Sequence, residues 1–324
     1  MTAAGAAGLG PATPLQRVVH PALVPLYLGN VAVWGRFEPH RTAGFACRFQ
    51  DVRGRTAGEI EAAYGLDRTP GWPAGGAVHV LRFFTHRTAL WATTFGGNTV
   101  EGARGGMVYP PPFLGTGYTP GGLPEYAGGL MELPAGTELW RVDQDGDEQR
   151  VGRYVHRQLG WIAIGDDGEA AAAGFGPAAW SGGTAALQPT VRRGLVARYR
   201  NTDFDADFGP RPDDVTLHPL PGAPAPQDFT ERDGTWTKVV KDVELDGLAY
   251  LRQRCTWRGA RFEVAARNPT GAVLHYLGEN AEEAATLGLT QVDLRVWRTV
   301  VPAADLTDVQ PEITELPPEG QFPG

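Results

Sequence analysis

The sequence predicts a mainly β protein, in which an α+β front domain precedes tandem, duplicated small SH3-like β-barrels. Apolar residues come in short alternating runs between turn residues, and 44 Gly and 27 Pro among 324 residues are typical of loop-rich β proteins. Residues 194–309 repeat themselves, which indicates a duplicated module. Nine Trp and 42% apolar residues are enough for packed cores and argue against disorder.

The repeat rests on residues that recur at a nearly constant offset of 57 to 61 positions. The matched pairs are Tyr199 with Trp257, Phe204 with Phe262, His218 with His275, and Trp236 with Trp297. Each copy has about 60 residues and four or five short strands, which fits a small SH3-like barrel. The copies differ at one place: the second carries a short helix at 281–287, capped by Asn280, where the first has the Pro/Ala-rich stretch 221–226.

The length predicts two or three domains. A Gly/Ala-rich stretch separates the front part from the repeat, and the join between the copies is too short for them to tumble freely. The predicted division is a flexible tail (1–14), a mixed α+β front domain (15–164), a linker (165–189), a first barrel (190–252), a second barrel (253–312) and a tail (313–324).

The front domain contains recognisable local signals. The apolar runs 23–28 and 31–34 flank Gly29-Asn30, which predicts a hairpin. Thr56 with Glu59 predicts the start of a helix that ends at Gly65. Residues 77–84 form the strongest strand pattern, and residues 138–154 predict a second hairpin with its turn at Asp145-Gly146.

Charge and cysteine content exclude several classes of function. The net charge of −8 argues against binding to nucleic acid or to an anionic membrane. No apolar run approaches the roughly 20 residues of a membrane span. Cys47 and Cys255 match no metal or redox spacing, so no metal is predicted and a reducing compartment is favoured. With no basic region at the start, we expect a cytoplasmic protein, or one exported without a classical signal peptide.

Arg82 lies within the predicted strand 77–84, on the same face as Val78, Val80 and Phe84. A guanidinium among apolar neighbours needs a partner, because an unpaired buried charge is very costly. The simplest interpretation is an edge strand or a structural ion pair. A functional interpretation is that Arg82 grips an anionic ligand.

The order of Arg82, Tyr118, Glu125 and the turn at 133–137 resembles ADP-ribosyltransferases and related NAD-consuming toxin folds. The resemblance implies that Arg82 holds the cofactor phosphates, that Tyr118 stacks on nicotinamide, and that Glu125 stabilises an oxocarbenium-like centre. Leu123 stands where those folds carry a second glutamate. If this hypothesis holds, the three residues should converge on one open cleft.

The last 130 or so residues resemble uncharacterised actinobacterial proteins with tandem SH3-like Trp-Arg-Gly barrels, found near polymorphic toxin or secretion systems. The resemblance lies in residues 255–259, 277–278, 284–289 and 300–302. It implies a toxin-related context.

The leading functional prediction is a non-catalytic protein that binds another protein, as an accessory or immunity factor of a bacterial toxin system, with no cofactor. The candidate binding residues are the repeated aromatics Trp236, Trp257, Tyr276 and Trp297, for which core packing is the competing interpretation. The alternative is an NAD-consuming enzyme that uses Arg82, Tyr118 and Glu125 in the front domain.

Overall fold

The computed structural model describes residues 14–44, 46–66, 69, 71–73, 75–84, 91–92, 113–118, 124–126, 130–165, 179–181, 193–278 and 280–316. The fold is mainly β, as predicted, with large antiparallel sheets. Its α-helices in the described residues are α1 (Val24–Leu28), α2 (Phe49–Val52), α3 (Ala57–Tyr64) and α4 (Ala281–Thr286). None of these helices has the length and apolarity that a membrane span requires.

The front part is built around a six-stranded antiparallel sheet of order β12-β11-β10-β5-β1-β4. Smaller sheets pair β2 with β13, β3 with β9, and β6 with β7 and β8. The strands are β1 (Pro14–Val19), β2 (Val31–Val33), β3 (Arg41–Thr42), β4 (Cys47–Arg48), β5 (Val78–Phe84), β6 (Trp91–Ala92), β7 (Phe113–Tyr118), β8 (Pro124–Tyr126), β9 (Met131–Glu132), β10 (Glu138–Val142), β11 (Glu148–His156), β12 (Gly160–Ala163) and β13 (Ala179–Ser181).

Three of the local predictions for the front part are confirmed and one is wrong. The strand pattern at 77–84 forms β5. Helix α3 has the predicted capping box of Thr56 and Glu59, and it ends at Gly65 in the left-handed conformation. The hairpin of β10 and β11 is also present. The run 23–28, however, forms a 3-10 turn and α1, because prolines stand at the first positions of both helical segments and fix a helical φ there.

The repeat forms one large sheet of eleven strands, with the order β17-β18-β16-β15-β14-β19-β20-β21-β23-β22 and with β24 paired to β19. Its strands are β14 (Gly194–Tyr199), β15 (Thr202–Phe208), β16 (Asp214–His218), β17 (Thr230–Arg232), β18 (Thr235–Lys241), β19 (Gly247–Trp257), β20 (Ala260–Arg267), β21 (Gly271–Tyr276), β22 (Thr290–Asp293), β23 (Val296–Pro302) and β24 (Thr307–Glu315). Among the described residues these pairings follow an open path, and none closes either copy into a barrel.

The two copies have the same strand order and share a strand. The first half of β19 pairs with β14 as the last strand of the first copy, and its second half pairs with β20 as the first strand of the second. The predicted boundary between 252 and 253 therefore lies inside one continuous strand. Equivalent 3-10 turns at Asp242–Glu244 and Ala303–Asp305 precede β19 and β24.

The hairpin that opens each copy has the same turn. Arg200 and Asn201 in the first copy, and Arg258 and Gly259 in the second, all have a positive φ between 49° and 80°. Two successive positive φ values characterise the two-residue turns that match the twist of a β-hairpin. Each arginine also stacks on the aromatic residue before it, since the guanidinium of Arg200 lies 4.9 Å from the Tyr199 ring and that of Arg258 lies 4.4 Å from the Trp257 ring.

The front sheet is covered on both faces. One face carries Val18, Val80 and Val142, which pack against Ile60 of α3. The opposite face belongs to a large core that the front sheet shares with the first copy. This shared core includes Leu15, Leu81, Leu139, Trp161, Leu195, Phe204, Phe208, Leu217 and Tyr250. The second copy has a separate core centred on Phe262.

A buried ionic network joins the front part to the repeat. Arg41 of β3 donates from Nε to Glu132 Oε1 at 2.9 Å and from Nη1 to Glu38 Oε2 at 3.0 Å. All three side chains are at most 8% exposed. Burial alone would raise the pKa of Glu38, but the charges of Arg41 and Arg193 outweigh this effect and lower the pKa to about 2. Glu38 is therefore held as a carboxylate by its arginine partners.

The same network extends into both copies. Arg193, just before β14, donates to the Val264 carbonyl of β20 at 2.7 Å, and one of its Nη atoms lies 3.6 Å from Glu38. The Tyr250 hydroxyl of β19 accepts from the Glu132 backbone N–H at 3.1 Å and hydrogen-bonds the Glu132 carboxylate. The network thus ties β3 and β9 to β19 and β20.

Replacing Arg41 by methionine should destabilise the protein strongly, because the buried carboxylates of Glu38 and Glu132 would lose the guanidinium that pairs with both of them. Removing one member of a buried ion pair costs about 3–5 kcal/mol, and we expect a loss of that size in the free energy of unfolding measured by urea denaturation.

The matched control is Arg198→Met, which removes the exposed partner of Asp203 and should leave the denaturation midpoint almost unchanged. Equal midpoints for the two variants would contradict the importance assigned to the buried network.

Candidate functional site

An open cleft lies where one end of the front sheet meets the loop that follows β15. Its volume is about 510 Å³, which is within the size range of small-molecule and side-chain pockets. Residues 134–138, Pro14 and Phe84 form the wall on the front sheet. Residues 208–212 of the first copy form the opposite wall. The cleft exists because the two parts of the chain pack together.

Arg82 lies in this cleft, and the structure provides the partners that its strand position requires. The guanidinium donates to both carboxylate oxygens of Glu148, from Nη1 at 2.8 Å and from Nη2 at 2.5 Å, and from Nε to Gln16 Oε1 at 2.9 Å. It also lies between two aromatic rings, 4.2 Å from the centroid of Phe49 and 4.8 Å from that of Trp140. These contacts occupy the fork of donors with which an arginine binds a phosphate or carboxylate.

The second carboxylate of the cleft is paired as well. Glu138 lies opposite Arg82 in the sheet, accepts from Arg150 Nη1 at 2.7 Å and accepts from Trp140 Nε1 at 3.0 Å. Two further cations line the cleft. Arg211 is bound through Nε to Asp214 at 2.7 Å, whereas Arg53 is exposed and has no ion pair within the described residues.

Gly209 sets how closely the two walls approach. The Phe208 carbonyl accepts from the Ala135 N–H at 2.6 Å, and Gly209 has a φ of +96°. A Cβ at this position would lie 2.4 Å from the Ala135 carbonyl oxygen. Only glycine fits, because any side chain would collide with backbone and adopt a disfavoured φ.

The other two residues of the enzyme hypothesis lie on a separate hairpin. In the pairing of β7 with β8, Tyr118 is opposite Pro124 and Glu125 is opposite Gly117. Strand β8 packs near β4, the edge strand of the front sheet. The side chains of Tyr118 and Glu125 lie outside the described residues, so their convergence with Arg82 stays a prediction.

The four repeated aromatics divide into two groups. Trp257, Tyr276 and Trp297 are at most 7% exposed and belong to the core of the second copy, where the rings of Tyr276 and Trp297 pack edge to face at 6.0 Å. Trp236 of the first copy is 38% exposed. Of these four side chains, Trp236 offers the accessible surface.

A buried cluster that the sequence did not predict lies beneath the cleft wall. Asp207 and His218 are fully buried, and His218 Nε2 lies 2.8 Å from Asp207 Oδ2. Arg157 donates to Asp207 from its backbone N–H and from Nε, both at 2.9 Å, and the His156 ring lies 5.0 Å from that of His218. An aspartate–histidine pair suggests general-base chemistry, but with no exposure to solvent this pair is structural. The signal available in the sequence was the alternation of Asp205 and Asp207 with apolar residues.

The pKa values in this cluster reflect burial. Burial and the neighbouring His218 lower the pKa of His156 to about 4. Burial raises the pKa of Asp207, but Arg157 and His218 outweigh it and hold the pKa well below its usual range. Near the ionic network, burial and Arg41 lower the pKa of His40 to about 4 as well. The fold therefore keeps His40 and His156 neutral at pH values where a free histidine would be charged.

Comparisons with known proteins identify no relative. No family model, curated protein or solved structure matches the chain. Within the part of the chain that the structure describes, no group of three His, Cys, Asp or Glu side chains could hold a metal ion.

The variant Gly209→Ala should lower the free energy of unfolding, by about 1–3 kcal/mol for the strained backbone alone and more for the clash. Gly222→Ala is the matched control, because Gly222 has a φ of +80° but nothing within 4 Å of its would-be Cβ. The difference between the melting temperatures of the two variants reports the clash of the new Cβ with the opposite wall. Equal decreases in melting temperature would contradict the close approach of the walls at Gly209.

The protein should lose stability as the pH falls from about 6.5 to about 4. Unfolded histidines take up protons below about pH 6.5, whereas folded His40 and His156 stay neutral down to about pH 4, so acid favours the unfolded chain. His156 Nδ1 accepts from the backbone N–H of Gln158 at 3.3 Å. In urea denaturation at stepped pH, His156→Asn should flatten the decline, because the asparagine oxygen can accept the same hydrogen bond and does not titrate.

His20→Asn provides the control for this measurement. His20 is half-buried outside the cluster, and its Nδ1 likewise accepts from a backbone N–H, that of Ala22 at 3.1 Å. The decline with pH should remain in this variant. An unchanged slope in His156→Asn would overturn the assignment of the effect to His156.

Proposed function

We propose that this chain is a non-catalytic binding protein that holds part of a protein partner in the cleft between the front sheet and the first copy. The observation that carries the proposal is the state of the charges in the cleft. Both carboxylates of the lining, Glu138 and Glu148, are engaged by arginines. A general acid, base or nucleophile must be able to reach a substrate, whereas these carboxylates are paired with arginines of other strands in the front-sheet wall.

The apolar surface of the cleft supports recognition of a partner side chain. Phe84 is 45% exposed at the cleft, and Pro14, Trp140 and Pro210 line it beside Phe84. Aromatic side chains in a concave, preformed site are typical anchoring points of protein interfaces. Arg53, which has no ion pair within the described residues, would favour a partner that carries acidic residues next to its apolar anchor.

The proposal also covers the fold of each copy of the repeat and the biological system in which the protein acts. We interpret each copy as an SH3-like module, since it consists of short antiparallel strands and a short 3-10 turn precedes its last strand. An accessory or immunity role in a bacterial toxin system, and a cytoplasmic location, remain part of the same proposal. Burial raises the pKa of the Cys255 thiol to about 11, so this cysteine is held in its protonated, unreactive form.

Affinity capture from the lysate of the native host tests the cleft. The wild type and Ile313→Asp, which changes an exposed residue outside the cleft (66% exposed), should retain the same partner. Phe84→Asp should lose it, because a charge on the anchoring surface disrupts apolar contact. Each variant must show the wild-type melting curve. A partner that binds all three proteins equally would overturn the proposed site.

An NAD-turnover assay on the same wild-type protein tests the alternative activity. We expect no turnover. Turnover that disappears in Glu125→Gln but persists in Phe84→Asp would replace the binding function by the enzyme hypothesis.

A further inference from the structure

The two copies of the repeat differ in what covers one equivalent tryptophan. In the second copy, Trp297 is 6% exposed and shares its core with Ala284 of α4. Leu287 and Leu289, which follow that helix, pack against the same core. In the first copy, the equivalent Trp236 is 38% exposed.

The difference in tryptophan exposure arises from the segment that connects the third and fourth strands of each copy, which are β16 and β17 in the first copy and β21 and β22 in the second. Asn280 caps α4 by accepting from the N–H groups of Glu282 and Glu283 at 2.9 and 3.2 Å. The stretch 221–226 of the first copy is a largely exposed coil with three prolines, which prevent a helix from forming there. The counterpart of Tyr276, which packs on Trp297, is Pro219.

Trp236 lies on the strand face that leads into the core. Alternation along β18 puts Trp236 and Lys238 on the same face as Val240, which is 4% exposed. The side chain of Lys238 extends over the Tyr199 ring, with Nζ 5.3 Å from its centroid. Trp236 is therefore an inward-facing residue near one end of its strand. Phe229 closes the core beside it by stacking on Phe204 at 5.2 Å, but the segment 221–228, which stands in place of α4, is largely exposed.

We propose that this face of the first copy docks a short amphipathic helix of a partner protein, in the place that α4 occupies in the second copy. The second copy shows which chemistry the site takes: a small residue on the helix and a leucine three positions later, as in Ala284 and Leu287. This surface is distinct from the cleft, whose lining residues do not include Trp236.

The charges around Trp236 are balanced, so the proposed contact between Trp236 and the partner helix is mainly apolar. Arg200 and Lys238 both pair with Asp228, and Arg232 lies 3.5 Å from Asp233. Glu231 lies opposite Trp236 on β17. Binding should therefore change little between low and moderate salt, in contrast to an electrostatic interaction.

The probe is a peptide with the sequence of residues 280–287 of this chain, stapled as a helix, titrated into the full chain by isothermal calorimetry. We expect a dissociation constant on the order of 100 μM, since a short helix buries little area. Trp236→Ala should weaken binding at least about tenfold, as expected for an interfacial tryptophan. A scrambled, stapled peptide should not bind.

Two variants complete the test. Val243→Ala changes another exposed apolar residue of the first copy (60% exposed) and should bind as the wild type does. Phe84→Asp should also bind normally, which separates this surface from the cleft. No binding to the wild type, or equal binding to Trp236→Ala, would overturn the proposal, as would stronger binding of an extended proline-rich peptide than of the helix.

Discussion

The arrangement of the whole molecule depends on the ionic network around Arg41. A guanidinium that is 8% exposed must be compensated by nearby acceptors, and Arg41 finds them in Glu38 on its own segment and Glu132 on β9. Glu132 is in turn held by Tyr250 of the shared strand. These requirements fix the position of the front part relative to the repeat, because each buried charge is satisfied only when the others are in place.

The cleft is a consequence of this arrangement. The Ala135 N–H and the Phe208 carbonyl form a bond between the two parts of the chain, and Gly209 permits the approach. Asp207, below this wall, is fixed by Arg157 and His218. A partner bound in the cleft would contact both parts of the chain at once. The shape of the site therefore depends on how the front part and the first copy pack against each other.

The two copies of the repeat share their strand order but differ in how well one equivalent tryptophan is buried. Both copies keep three aromatic positions (Tyr199/Trp257, Phe204/Phe262 and Trp236/Trp297), the paired positive φ values of the first hairpin and the 3-10 turn before the last strand. They differ where three prolines replace a helix, and the result is an exposed Trp236 beside a buried Trp297. In the proposed helix site, the first copy therefore exposes a tryptophan that the second copy covers with its own helix.

The sequence by itself determined the features that depend on neighbouring residues. The capping box of Thr56 and Glu59, the hairpin at 138–154 and the period of the repeat are set by local hydrogen bonds, turn preferences and alternation. The requirement that Arg82 have a partner also followed from its strand position alone. The run 23–28 was predicted wrongly because an apolar stretch suits a strand or a helix, and the prolines decided for a helix.

Only the tertiary structure decided which residues meet. Glu148 lies 66 positions from Arg82, and Tyr250 lies 118 positions from Glu132. Such pairs leave no periodic signal. Arg82 and Glu148 meet because β5 and β11 both pair with β10 in the front sheet, and Glu132 meets Tyr250 because the front part and the first copy bury a common core. Nor could the pattern of aromatics show that Trp297 is covered and Trp236 exposed. That difference depends on which segments fold over each strand, and the free energy of packing, not local preference, selects them.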